Sequence, residues 1–318
     1  MIKYFDTIKA ALDASFAVIC NHKGIPREQG PALVRAELGA MNKEWFKTEP
    51  ANVKYEDPVC RFAYLFSHTA ANANLCEIAI RESPDVVKLI TDKAATSKKL
   101  KICAFGGGPG TELLALAKHL LKTRPNGPHL QLKFDLLDRV DEWIESWKAI
   151  EGEITRKLEG KYGSFVNHPF SMSGNIYGRD MTDPHQYVNL PTLFDQDLFF
   201  LNYVVSEISG NSADITKDAP SFVEFVRHAA QACKSGSKFV IADRDQDNVV
   251  INAQKLLAEA GLTASAITKV CRRMDADEQP DVLKDYSGDI DRFPRSWWKG
   301  RYGSNSNRGA FFIIGTKP

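Results

Sequence analysis

Apolar positions recur at helical spacing through the first part of the chain. Tyr4-Phe5-x-x-Ile8-x-x-Ala11-Leu12 forms one such face, and Leu33, Val34 and Leu38 begin another ahead of Trp45 and Phe46. Gly24-Ile25-Pro26 and Gly30-Pro31 punctuate these runs. A second helical block follows Asp57-Pro58 and runs to about Arg81. Ser83-Pro84 then opens a third that reaches about Thr91, with Ser83 as its N-cap. From Leu100 the pattern switches to strands alternating with helices. Strands are expected at 101–105, 130–138, within 163–178, at 197–205, 238–242, near 266–272 and at 310–316. Helices are expected at 110–123, 140–160, 219–233 and 247–260. The run Asp197-Leu198-Phe199-Phe200-Leu201-Asn202-Tyr203-Val204-Val205 is almost unbroken in its apolar character, as a parallel strand covered on both faces demands. The expected fold is a doubly wound α/β domain over 99–318, with a mostly parallel seven-stranded sheet and right-handed crossovers. An all-helical extension or lid over 1–98 precedes it.

Composition narrows the class without naming a reaction. The 318 residues are 43% hydrophobic and 25% charged, and the formal net charge is +1. That balance is ordinary for a globular protein and gives no argument for nucleic acid from charge alone. No apolar run approaches the roughly 20 residues of a membrane span. No secretory signal is expected from the opening Met1-Ile-Lys-Tyr-Phe-Asp6, and the six cysteines show no Cys-x-x-Cys and no regular spacing. A reduced, cytoplasmic chain without membrane partners is therefore expected. The histidines at 22, 119, 129, 168, 185 and 228 lack metal-ligand spacing, so no metal is expected.

The chemistry centres on Lys101-Ile-Cys-Ala-Phe-Gly-Gly-Gly-Pro-Gly110. Here a strand turns into a helix through Gly106, Gly107, Gly108 and Gly110. Such a turn needs positive φ, which glycine adopts without steric cost. It also brings a ligand against bare backbone at the start of a helix. Pro109 stands where a dinucleotide fingerprint has a variable residue, and the last glycine comes early. Glu112 lies where a pyrophosphate would sit and would repel one. The next strand ends in Asp138, placed to take two ribose hydroxyls or, alternatively, to cap the following helix. Together these residues resemble the class I S-adenosylmethionine-dependent methyltransferase family. The resemblance covers about 100–318 and implies that S-adenosylmethionine is the cofactor. It implies that the glycine turn cradles the amino-acid part, that Asp180 takes the adenine amino group, and that Met181 lies on the ring; the alternative for Met181 is simple core.

The end of the fourth strand, Asn202-Tyr203-Val204-Val205-Ser206-Glu207, would in that family face the methyl group and the acceptor. Asn202 and Tyr203 are candidates to orient an acceptor, and Glu207 to take a proton or hold a cationic amine. The competing reading has Ser206 capping a helix with Glu207 in its first turn. Asp243-Arg244-Asp245, after the fifth strand, either lines the mouth or is simply solvated. Arg61 and Tyr64 share a helical face with His68. Laid over the site, Arg61 would meet the cofactor's carboxylate; otherwise its stem packs and its charge faces water. Arg292 to Tyr302 interleaves Arg295, Trp297, Trp298 and Arg301, a pattern suited to a flat acceptor or a nucleobase, or to packing on the sheet.

The expected activity is methyl transfer to N or O of a small-molecule or other flat acceptor. An RNA base methyltransferase is the alternative, because Tyr55-Glu-Asp-Pro-Val-Cys-Arg-Phe-Ala-Tyr64 resembles the family that includes ribosomal-RNA uridine N3 methyltransferases. A cofactor-binding regulator or scaffold is a third reading, and an NAD-dependent dehydrogenase the least favoured.

Overall fold

The computed structural model describes residues 2–45, 53–210, 212–271, 274–275, 277–286 and 309–318. Five helices precede the sheet: α1 (Tyr4–His22), α2 (Gly30–Trp45), α3 (Pro58–Ser67), α4 (Thr69–Glu82) and α5 (Pro84–Ala95). The expected single block after Asp57-Pro58 is thus two helices, broken at His68. Asp57 caps α3 through the Val59 N–H, and Ser83 caps α5 through Val86. The α/β part continues with β1 (Lys99–Phe105), α6 (Thr111–Thr123), β2 (Leu130–Asp138), α7 (Trp143–Tyr162), β3 (Phe170–Gly178) and β4 (Leu198–Asn202). It ends with α8 (Val204–Ser209), α9 (Ile215–Asp218), α10 (Pro220–Ala232), β5 (Lys238–Arg244), α11 (Asp247–Glu259), β6 (Thr263–Ala264), β7 (Thr268–Val270) and β8 (Ala310–Thr316).

The strands lie in the order β3-β2-β1-β4-β5-β8-β6, with β7 also on β8. β3, β2, β1, β4 and β5 are mutually parallel, whereas β8 runs antiparallel between β5 and the edge. The one strand expected near 266–272 is two short pieces. Ala264 pairs with Gly315 and Thr268 with Phe312, so the edge holds one more residue than its partner and bulges. This makes the sheet eight-stranded in place of the expected seven.

Each face of the sheet has its own apolar core. Ile102, Ala104, Leu132, Leu136 and Phe200 meet α6 and α7 on one face, in the same cluster as Leu12, Phe16, Phe62 and Leu75 of the leading helices. Among the described residues, the boundary near 98 therefore separates element types and not cores. On the other face, Phe105, Phe199, Phe239 and Ile241 pack on Phe225, Val226 and Leu256. β3 and β4 are joined without an α-helix, and β2 accordingly alternates buried and half-buried positions along most of its length. The helices reach no length and apolarity that would cross a membrane, among the described residues. All six cysteines are free, and only Cys271 is exposed.

Candidate functional site

β1, β2 and β4 end side by side, and the residues that follow them form one cluster. After β1, Gly106, Gly108 and Gly110 take φ of 62°, 43° and 78°, the left-handed values that the turn requires. The turn is fixed from β2. The Gly106 and Gly107 N–H groups both donate to Leu137 O, and the Gly108 N–H donates to Asp138 Oδ2 at 3.0 Å. Bare backbone is also a packing requirement here. A Cβ on Gly110 would stand 2.2 Å from Trp147 Cε3, and one on Gly106 2.9 Å from Val204 Cγ2. Met181 Cε lies 3.9 Å from that same point on Gly106, so Met181 reaches the turn. The Trp143 indole borders Gly108.

Asp138 does not cap α7, whose N-cap is Glu142. Its Oδ1 accepts the Val140 N–H while Oδ2 holds Gly108, leaving the half-buried carboxylate tied to the turn. Removal from water pushes its pKa up to about 6, against the pull of those two N–H groups. Glu112, in the first turn of α6, is 1% exposed, and burial pushes it up to about 8. The Asn202 amide and its own N–H oppose that shift, and Asp138 adds to it. Glu207 in α8 is raised to about 7 by burial, with the charges of Asp138 and Asp243 adding to the effect. Tyr64 lies in the field of all three carboxyls, Glu207, Glu112 and Asp138. Its ring stands edge-on to Tyr55 at 5.4 Å and to Trp143 at 5.5 Å.

β4 ends earlier than the apolar run suggests. Tyr203 has φ of 64°, and its N–H donates to Ala242 O. Val204 and Val205 therefore start α8 and do not continue the strand. Ser206 is not the cap: its N–H donates to Asp243 Oδ2 at 2.9 Å and its hydroxyl to Tyr203 O. Glu207 does fall in the first turn of α8. Asp243 is fully buried, which corrects the solvated reading for that residue, while Arg244 and Asp245 are half-buried. Asn202 is 8% exposed and donates from Nδ2 to Asn72 O at 3.1 Å.

Asp180 is half-buried and folds back on its own loop, its Oδ1 accepting both the N–H and the hydroxyl of Thr182. Arg61 is buried at 7% exposure, and its Nη1 donates to Tyr55 O and Glu56 O. It thus braces the loop that carries Tyr55, and Arg139 holds the same loop through Val53 O. Arg295, Trp297, Trp298 and Arg301 lie outside the described residues. Sequence reasoning gave no site role to Trp143 or Asn72. Trp143 follows Asp138 by five positions and opens α7, a signal available in the chain; Asn72, 130 residues from Asn202, offers none.

Four buried polar atoms make no hydrogen bond among the described residues near this cluster or in the adjoining α4: Tyr55 Oη, Thr69 Oγ1, Glu112 Oε2 and Asn202 Oδ1. Buried polar groups are as a rule paired, so unpaired ones beside bare glycine backbone fit a bound polar molecule. No group of three or more His, Cys, Asp or Glu suited to a metal occurs among the described residues.

No family model matches the chain, and no curated protein matches it in sequence. Solved structures of similar shape include an O-methyltransferase family protein from Burkholderia thailandensis, 14% identical, covering 91% of this chain and 70% of that one at a TM-score of 0.41. The plantazolicin methyltransferase BamL, in complex with a triazolic desmethylPZN analogue and SAH, is 12% identical over 90% of this chain and 98% of its own, at 0.42. The CurJ carbon methyltransferase is 10% identical over 90% and 67%, at 0.44. These likenesses, all below one half in TM-score, carry no part of the functional argument.

Proposed function

We propose that this protein is an S-adenosylmethionine-dependent methyltransferase acting on N or O of a small, flat acceptor. The observation that carries the reading is the gathering of Glu112, Asp138 and Glu207 around Tyr64 beside the glycine turn. Three carboxyls with raised pKa values in one buried place favour a ligand of net positive charge. S-adenosylmethionine, with a sulfonium, an ammonium and one carboxylate, is such a ligand. A dinucleotide pyrophosphate is not, since Glu112 already places a carboxyl at the helix start where the phosphates would lie.

The residues present fit the cofactor. Gly106 to Gly110 would carry its amino-acid part on backbone, Asp138 its ribose hydroxyls, and Met181 and Asp180 its adenine. When bound, the cofactor supplies an activated methyl group. Transfer of that group needs alignment of acceptor and donor in a water-poor pocket more than covalent help. Tyr203, just beyond the end of β4, is the residue left to orient the acceptor, because the Asn202 amide is turned toward Asn72 and Glu112. Glu207, with a pKa of about 7, is poised to take the proton that an N–H or O–H acceptor loses. The half-buried Tyr55 and Tyr64 rings offer faces for a planar acceptor, and Tyr64, edge-on to Tyr55 and to the buried Trp143, is held rigid.

The test is transfer of a radiolabelled methyl group from S-adenosylmethionine into fractionated metabolite, RNA and protein pools. Label in the metabolite fraction is the expected result. Label confined to RNA would replace the acceptor by a nucleobase, and tight cofactor binding without transfer to any pool would favour a scaffold.

A further inference from the structure

Glu112 and Asn202 meet at the carboxyl edge of the sheet, one in the first turn of α6 and the other at the last position of β4. The Asn202 amide is a donor toward the Glu112 carboxyl and, from Nδ2, toward Asn72 O. The pair leaves over two acceptor oxygens, Glu112 Oε2 and Asn202 Oδ1, both buried and neither hydrogen-bonded among the described residues. Once Glu112 is ionised, the pair presents two acceptors with no donor, which calls for a group rich in N–H bonds. An ammonium has three donors, no acceptor and the right charge. A phosphate or a carboxylate brings only acceptors and a charge of the wrong sign.

We propose that Glu112 and Asn202 form a subsite for the α-ammonium group of an amino-acid-bearing ligand, and that Glu112 releases a proton when this group arrives. The proposal rests on the cofactor reading above, because S-adenosylmethionine and S-adenosylhomocysteine both carry that group. Four groups face Glu112: Asp138 at the end of β2, Tyr64 on α3, Cys76 on α4 and Asn202 on β4. None of them is a cation, so with no ligand the buried carboxyl keeps its proton at neutral pH, its pKa being about 8. An ammonium within hydrogen-bond reach reverses that preference. The O–H bond of Glu112 breaks, its proton passes to the buffer, and the carboxylate then accepts from the ammonium. No electrons are exchanged with any other species.

The experiment is calorimetric titration of the full chain with S-adenosylhomocysteine at pH 7, in buffers of different ionisation enthalpy. Asp138 and Glu207 titrate in the same range, so the measure is the difference between the wild type and Glu112→Gln. The wild type should release about 0.5–1 proton more per ligand bound than the variant. The variant should also bind roughly 10- to 100-fold more weakly. 5′-Methylthioadenosine, which lacks the amino-acid part, should bind both proteins alike and release no such proton. Equal affinity and equal proton release in wild type and variant would overturn the proposal and leave the cofactor reading standing. Failure of the wild type to bind S-adenosylhomocysteine would overturn the cofactor reading, and the subsite with it. If Glu112→Gln folds poorly, the two ligands compared on the wild type decide: equal proton release from both overturns the subsite.

Discussion

The Asp138 carboxylate accepts the Gly108 N–H at 3.0 Å, which joins the last residue of β2 to the middle of the turn after β1. A ligand that reaches Asp138 therefore also reaches the glycine backbone. Asp138→Asn keeps one acceptor oxygen but loses the charge. It is expected to weaken S-adenosylmethionine binding by about 1–3 kcal/mol through loss of charge-assisted hydrogen bonds, and to lower the melting temperature because the new NH2 faces either the Gly108 or the Val140 N–H. Calorimetry beside thermal melting checks this; unchanged affinity would leave Asp138 as a brace for the turn alone.

Gly110 faces the Trp147 ring at a distance that admits no side chain, and its φ is 78°. Gly110→Ala combines a clash with a left-handed alanine. A loss of roughly 3 kcal/mol or more in unfolding free energy is expected. Denaturant unfolding reads it directly, and a variant as stable as the wild type would mean that Trp147 swings away at no cost.

Glu112 and Glu207 are held above the value of 4.5 from which their pKa values are raised, at about 8 and about 7. Each binds its proton more tightly folded than unfolded. The stability this confers is complete below about 4.5 and is lost as pH rises through the folded values. The ligand-free protein should accordingly weaken between pH 5 and pH 8. Glu112→Gln should flatten the upper part of that slope and be more stable than wild type at pH 8.5, by roughly 1–3 kcal/mol. Denaturant midpoints at pH 5, 7 and 8.5 test this, and parallel pH profiles for the two proteins would contradict it.

Lys118 is 1% exposed and pairs with Glu278 at 2.5 Å and with Asp275 at 2.8 Å. Glu278 also accepts the Tyr4 N–H at the start of α1, so the buried pair ties α6 to the first helix and to the segment that carries Asp275 and Glu278. Removing one partner strands the other charge in the core. Lys118→Met is expected to cost about 3–5 kcal/mol, while pairing it with Glu278→Gln should recover part of that loss. Thermal or denaturant unfolding of the three proteins tests the pair, and additive losses would rule out coupling.

Local chemistry explains what was legible beforehand. Gly106, Gly108 and Gly110 announce a strand-to-helix turn because each position needs a conformation that side chains resist, and the structure gives each a positive φ. Asp138 was readable because it ends a strand with clear alternation. Tyr203 was not. Tyr203-Val204-Val205 has strand composition, and what turns it is the Asp243 carboxylate bound to the Ser206 N–H, a contact across 37 residues. The division of the expected edge strand into β6 and β7 was likewise hidden, since the bulge between them exists only in register with β8. Asn72 at Asn202 and Lys118 at Glu278 are long-range pairs with no local pattern to reveal them.

Glu207→Gln keeps the shape of the side chain and removes the base. Cofactor affinity should fall by only a fewfold, since Asp138 and Glu112 remain, while turnover of an accepting substrate falls by about 10²-fold or more. Normal turnover with a lower melting temperature would assign Glu207 to the helix start alone.

The cofactor is the central claim, and calorimetry of the purified full chain tests it most directly. Titration with S-adenosylmethionine and with S-adenosylhomocysteine should each give saturable heat, which Gly108→Val abolishes by filling the space between Trp143 and Asp138. NADH and NAD+ should give none. Saturable binding of NADH at comparable strength, with S-adenosylmethionine silent, would contradict the account.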